Sequence, residues 1–261
     1  LTGSKNTLKG VGFFLGGVLL SQFGFHDGIL SMVCLLLIVW VVSIFSLQSE
    51  MGKVTSKPKF KQLFSKRPAI NCLSSARLFL FAARDVWFVV ALPVFLAQQL
   101  QWQHNSVGAF IACWIIGYGI VQSFTPKILQ RKSSGIVVPH AKDLSRWAFF
   151  LSVLVTVLAL GLSLSSNAVQ FLGPVLIGGL LCFGVIFAIN SSLHSYMILA
   201  LAKEDGVSLD VGFYYMANAL GRLFGTVLSG WVYQSHGIIA CLIISAVLAL
   251  FAAIFVKKVG G

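Results

Sequence analysis

Apolar runs of membrane-crossing length recur along this chain, and that recurrence limits its fold more than any single motif does. A helix needs roughly 20 apolar residues to cross a hydrocarbon core of about 30 Å. Segments of that kind fall at 4–24, 28–47, 70–96, 105–125, 146–166, 171–197, 210–232 and 237–256. With 57% hydrophobic and only 10% charged residues, the chain is too apolar for an ordinary soluble domain. The expected class is an all-α polytopic membrane protein with eight helices.

A net charge of +12 would suggest nucleic acid in a soluble protein, so its placement matters. Outside the proposed spans, Lys and Arg cluster at 53–67, 127–146, 203 and 257–258, whereas the alternate connections 21–28, 99–106, 163–170 and 233–237 contain none. This is the positive-inside pattern, which makes the basic connections cytoplasmic and removes nucleic acid as a partner. The longest basic connection, 48–69, carries Pro58 and separates two helices in 1–47 from six in 70–261. Cys34, Cys72, Cys113, Cys182 and Cys241 each lie in a different run with no CxxC spacing, and read as packing residues rather than disulfides or metal ligands. The chain opens at Leu1 with neither an initiator Met nor a signal-peptide pattern, and the expectation is a later part of a longer protein.

Within 70–96 stand Arg77, Arg84 and Asp85. An ionisable group near a bilayer centre costs about 2.5 to 3.5 kcal/mol on insertion scales, so it faces a protein interior or a water-filled path. Arg77 and Arg84, two turns apart, share one helix face; Asp85 lies about 100° away and need not pair with Arg84. That face either meets an anion or belongs to a charge network locking helices together. Pro93 is expected to kink the outer end.

Other runs supply further candidates. Lys9 lies one turn from Lys5 and either snorkels or enters a cavity, and Gly12, Gly16 and Gly17 suit close helix approach. Tyr118 and Gln122, one turn apart, can hydrogen-bond a polar ligand or a neighbouring helix. The run 146–166 reads as peripheral. Asn190, Ser191, Ser192, His194 and Ser195 make one end of 171–197 polar, and His194 is either a proton relay or a packed residue. In 210–232 a small-residue stripe at spacing four, Ala217, Gly221, Gly225 and Ser229, suits tight contact, with Asn218 and a mid-span Arg222 beside it. A shift of 209 places Gly12 on Gly221, Gly16 on Gly225 and Lys9 on Asn218, as two repeated halves would. HExxH is absent, Asp85 and Asp210 stand in no GxGD pattern, and Asp210 suits a helix start, so no enzyme is expected.

Six helices after a long basic loop, preceded by two, resemble the major facilitator superfamily with its helices one to four absent. The first and seventh segments would then be helices five and eleven of that fold. The GPxxGG end of the family's antiporter motif matches Gly12 to Gly17 except that Phe13 stands in place of proline; the loop motif between helices eight and nine reads SFTPKILQRKSS, a degenerate form. The runs LTGSKNTLKGVGFFLGG, ARLFLFAARDVWFVVALPVFL and WIIGYGIVQSFTPK are similar, more specifically, to the ArsJ family of organoarsenical efflux permeases. That resemblance implies efflux of 1-arseno-3-phosphoglycerate across a bacterial inner membrane, a functional link to glyceraldehyde-3-phosphate dehydrogenase, arsenate resistance and a monomer without cofactor. The residues expected to bind such an anion are Arg77, Arg84, Arg222 and Lys9, with Asn218, Tyr118 and Gln122 orienting its skeleton and Asp85 or His194 serving coupling, because guanidinium groups bind tetrahedral oxyanions through paired hydrogen bonds. The alternatives are transport of another organic anion, such as a sugar phosphate or carboxylate, and a non-transporting receptor or structural protein.

Overall fold

The computed structural model describes residues 2–46, 67–129, 139–164, 169–202 and 207–260, and all regular structure among them is helical. In chain order the elements are α1 (Thr2–Ser46), α2 (Pro68–Phe88), α3 (Ala91–Gln98), α4 (His104–Leu129), α5 (Ala141–Leu164), α6 (Val169–Leu201) and α7 (Val207–Lys257), closed by a 3-10 turn at Lys258–Gly260. Among the described residues, six helical stretches are long and apolar enough to cross a membrane. Most of the basic connection expected at 48–69, the loop residues 130–138 and Lys203 lie outside the described residues.

Two of the expected inter-helix gaps are single glycines inside α1 and α7. Gly24 (φ 72°, ψ −177°) and Gly237 (φ 75°, ψ −173°) adopt a conformation that only glycine enters without strain. At each the chain doubles back. A Cβ on Gly28 would lie 3.7 Å from the Leu19 carbonyl oxygen, and the Cys241 thiol meets the Ser229 carbonyl at 4.0 Å; nine or twelve residues of straight helix would separate such pairs by about 13 to 18 Å. The two matching turns are offset by 213 positions, one helical turn from the 209 that aligns Gly12 with Gly221. The glycines also differ in use: Gly221 and Gly225 abut α2, whereas a Cβ on Gly12 or Gly16 would meet nothing within 4 Å. In α1 it is Gly10 and Gly17 that touch α4, Gly17 against Gly108 and the His104 carbonyl.

The expected helix over 70–96 is interrupted at Val89 and Val90, earlier than a kink at Pro93 itself. The cause is still Pro93, which cannot donate to the carbonyl four residues back, that of Val89, and whose ring crowds it. Ser229 of α7 fills the gap: its Oγ accepts from the N–H groups of Val90 (3.3 Å) and Ala91 (3.0 Å).

The stripe Ala217, Gly221, Gly225 and Ser229 therefore lies along α2. A Cβ on Gly221 would collide with the Leu78 backbone, and one on Gly225 would fall 2.9 Å from the Asp85 Cβ. On the returning limb of α7, Ser245 Oγ donates to the Ala83 carbonyl. The helix α5, expected to be peripheral, is fastened to that limb by Ser152 Oγ to Ala246 O (2.8 Å) and Ser145 Oγ to Ala253 O (2.9 Å). The main core joins Trp87, Leu92, Trp114, Phe183 and Phe187 with the inner faces of α5 and α7. The limb of α1 after Gly24 is almost wholly exposed apolar surface, which suits contact with hydrocarbon.

Candidate functional site

Asp85 is the fixed point of the site. It is fully buried on α2, with Arg84 Nε 2.5 Å from Oδ1 and Arg222 Nε 3.2 Å from Oδ2. Adjacent residues on a helix diverge by about 100°, so spacing alone did not require a direct Arg84–Asp85 pair. It forms because the long arginine side chain folds back to the carboxylate. Arg222 arrives from α7 because Gly225, one turn further on, brings the two backbones together beside Asp85. A buried carboxylate costs several kcal/mol unless compensated; two guanidinium groups compensate this one and leave the triad with net charge +1.

Each arginine spends only its Nε on the carboxylate. A guanidinium has five N–H donors in a planar fork, and neither Arg84 nor Arg222 makes a hydrogen bond through its Nη atoms to the described residues. The Arg222 side chain is 46% exposed, that of Arg84 only 14%. The result is a pair of forks anchored through Nε, with their Nη donors uncommitted among the described residues.

Aromatic rings hold one fork in place. The Arg84 guanidinium lies 4.8 Å from the Phe81 ring centroid and 5.2 Å from that of Phe187. Tyr118 packs on Phe187 at 5.9 Å and stacks on Trp114, so it joins the edge of the site through its ring. Asn218 stands one turn before Arg222, its Oδ1 buried without a hydrogen-bond partner. Gln122 is half-buried a turn beyond Tyr118, and Lys9 is exposed on α1 next to Gly10, which abuts Ile116 of α4.

Arg77 does not join the triad. Its Nη1 donates to the Ser191 carbonyl (2.9 Å) and Oγ (3.1 Å) on α6, and its guanidinium lies between the Phe81 ring (4.1 Å) and the Tyr214 ring (5.1 Å). His194, fully buried on the same stretch of α6, lies beside Arg77 rather than beside Asp85, and Asn190 is fully buried one turn before it. The shared cationic face read from spacing is thus divided by Phe81, whose ring serves both arginines. Phe81 follows Arg77 by four positions and precedes Arg84 by three, a neighbour relation visible in the sequence. Phe187, Ser191 and Tyr214 come from other helices and left no such signal.

A comparison with curated proteins gives no match. The family description "Major Facilitator Superfamily" matches residues 88–259, a stretch that begins just past Arg84 and Asp85 and includes Arg222. Because that match covers about two thirds of a chain built of membrane-length helices, the chain belongs to the Major Facilitator Superfamily.

Proposed function

We propose that this facilitator-family transporter exports an organic oxyanion from the cytoplasm, and that the uncommitted Nη groups of Arg84 and Arg222 hold its anionic group. The observation that carries this reading is the triad itself: two arginines pinned by one buried carboxylate, each with donors to spare. Pinning lowers the entropy lost on binding, since the forks already stand in place. Asn218, Tyr118 and Gln122 orient the carbon skeleton, and Lys9 serves a second anionic end. Asp85 is the resident counter-ion that an incoming anion competes with, and His194 a second candidate for coupling to protons in an antiport cycle. Alternating access arises from rocking of repeated halves around a midplane site.

The substrate we favour is 1-arseno-3-phosphoglycerate, on the resemblance of the three long sequence runs to organoarsenical efflux permeases. Glyceraldehyde-3-phosphate dehydrogenase would supply it from arsenate, and export through a bacterial inner membrane would confer arsenate resistance. The triad is equally suited to a sugar phosphate, because a guanidinium fork recognises the tetrahedral oxyanion rather than its central atom. Everted vesicles bearing the protein, given arsenate, glyceraldehyde 3-phosphate, NAD and the dehydrogenase, separate these readings. Arsenic uptake that needs every component is expected. Uptake of arsenate alone, or none, rejects the arsenical and leaves another organic anion.

A further inference from the structure

Arg77 is 5% exposed, and no carboxylate pairs with it among the described residues: Asp85 is committed to Arg84 and Arg222, and Asp210 lies 3.8 Å from Arg67. A guanidinium stays charged at any physiological pH, and a buried charge without a counter-charge is strongly disfavoured. Its two hydrogen bonds to Ser191 and two ring contacts are with neutral groups. Its Nε is buried with no acceptor.

The surroundings repeat that deficit. Ser74 Oγ, three residues before Arg77 on α2, and Asn190 Nδ2 and Oδ1, Ser192 Oγ and both ring nitrogens of His194 on α6 are buried without hydrogen-bond partners. All four residues are at least nine-tenths buried. Buried polar groups in native proteins are almost always satisfied, and several of the unsatisfied ones lie on the stretches of α2 and α6 that Arg77 joins through Ser191. The set is rich in donors: Arg77 Nε–H, the Asn190 amide, two hydroxyls and one imidazole N–H. Water alone would bridge some of them but would leave the charge uncompensated.

We propose that a small monovalent anion of chloride size resides between α2 and α6 beside Arg77 Nε, with a water satisfying the remaining acceptors on Asn190 and His194. The anion is a structural counter-ion to Arg77, distinct from the transported oxyanion at Arg84 and Arg222, and the inference does not rest on the identity of that substrate. It also takes Arg77 out of substrate contact.

The test uses the protein purified in detergent and exchanged between sodium chloride and sodium gluconate at equal ionic strength. Thermal unfolding is expected to rise by about 3 to 5 °C in chloride, saturably, the shift that a tenfold or greater excess over Kd gives in a chain of this size. Arg77→Met and Asn190→Leu should lose most of that dependence, whereas Arg84→Met should keep it. A chloride effect equal in all variants, absent from the wild type, or lost only with Arg84 overturns the proposal. If Arg77→Met does not fold, Asn190→Leu and bromide-grown crystals decide: an anomalous peak beside Arg77 Nε supports the site, and its absence in well-ordered density leaves a cluster holding water only.

Discussion

Arg84 and Arg77 stand two turns apart on one helix, touch the same phenylalanine ring, and live in different electrostatic worlds. Arg84 is tied to a carboxylate and keeps a little exposure; Arg77 is buried against α6 with no carboxylate among the described residues. The difference originates in neighbours. Gly225 allows α7 to come close at the level of Asp85 and so brings Arg222 to a carboxylate, whereas α6 meets Arg77 with the carbonyl and hydroxyl of Ser191 and the imidazole of His194. Helix spacing states which residues share a face. What a charge on that face does is decided by what the next helix presents to it.

The comparison breaks most severely at Asp85. Asp85→Leu leaves two guanidinium groups without their counter-charge, and we expect a loss of about 3 to 5 kcal/mol of stability together with transport. The double variant with Arg222→Met should recover part of the stability and none of the transport; full recovery of both would show that the triad only locks helices. Next in size is the split between the two arginines. Arg84→Gln should cut transport by about 100-fold or more with membrane insertion retained, and lower the unfolding temperature as well, because the buried Asp85 carboxylate keeps only Arg222. Arg77→Gln should lower the unfolding temperature alone, with transport retained within a few-fold. Loss of transport to the same degree in both, at equal stability, would reunite them in one site.

Two glycine positions sharpen the packing half of the argument. Gly225→Leu forces α7 off α2, since even a Cβ would sit 2.8 Å from the Ala82 carbonyl, and a cost of about 1 to 3 kcal/mol is expected with separation of Arg222 from Asp85. Gly12→Ala, with open space around it, should raise stability by up to about 1 kcal/mol through helix propensity. Unfolding temperatures of the two variants read both effects, and a stable Gly225→Leu protein would refute the close approach.

Much of this was legible in the sequence because the cues are local. Apolar run length marks the helices, and the stripe from Ala217 to Ser229 marks the face of α7 that meets α2. Gly24 and Gly237 were legible only as breaks in hydropathy; that each is a one-residue reversal follows from φ and ψ. Gly12 and Gly16 misled because a small-residue spacing says that a helix can be approached, not that one approaches. The pairing of Arg84 with its immediate neighbour stayed open because helical angles place Cβ atoms, and an arginine guanidinium reaches several bonds beyond its Cβ. Asn190 and His194 were visible as polar residues in a greasy run, but that α6 brings Ser191 and His194 to Arg77 required the packing of α2 on α6.

The smallest effect tests whether Phe81 truly divides the two sites. Its ring contributes a cation–π contact to each arginine, at 4.1 Å for Arg77 and 4.8 Å for Arg84, each worth about 0.5 to 1 kcal/mol and more where water is excluded. Phe81→Leu keeps most of the apolar volume and removes the ring. Both functions should then weaken together and modestly: transport by a few-fold, because Arg84 loses one of its two flanking rings, and unfolding temperature by a few degrees, because Arg77 loses its closest cover. Phe187→Leu removes a ring 5.2 Å from the Arg84 guanidinium, and should lower transport by a similar factor and leave any chloride dependence of unfolding intact. If Phe81→Leu impairs only one property, the ring belongs to one site, and the boundary between the two arginines must be drawn elsewhere on α2.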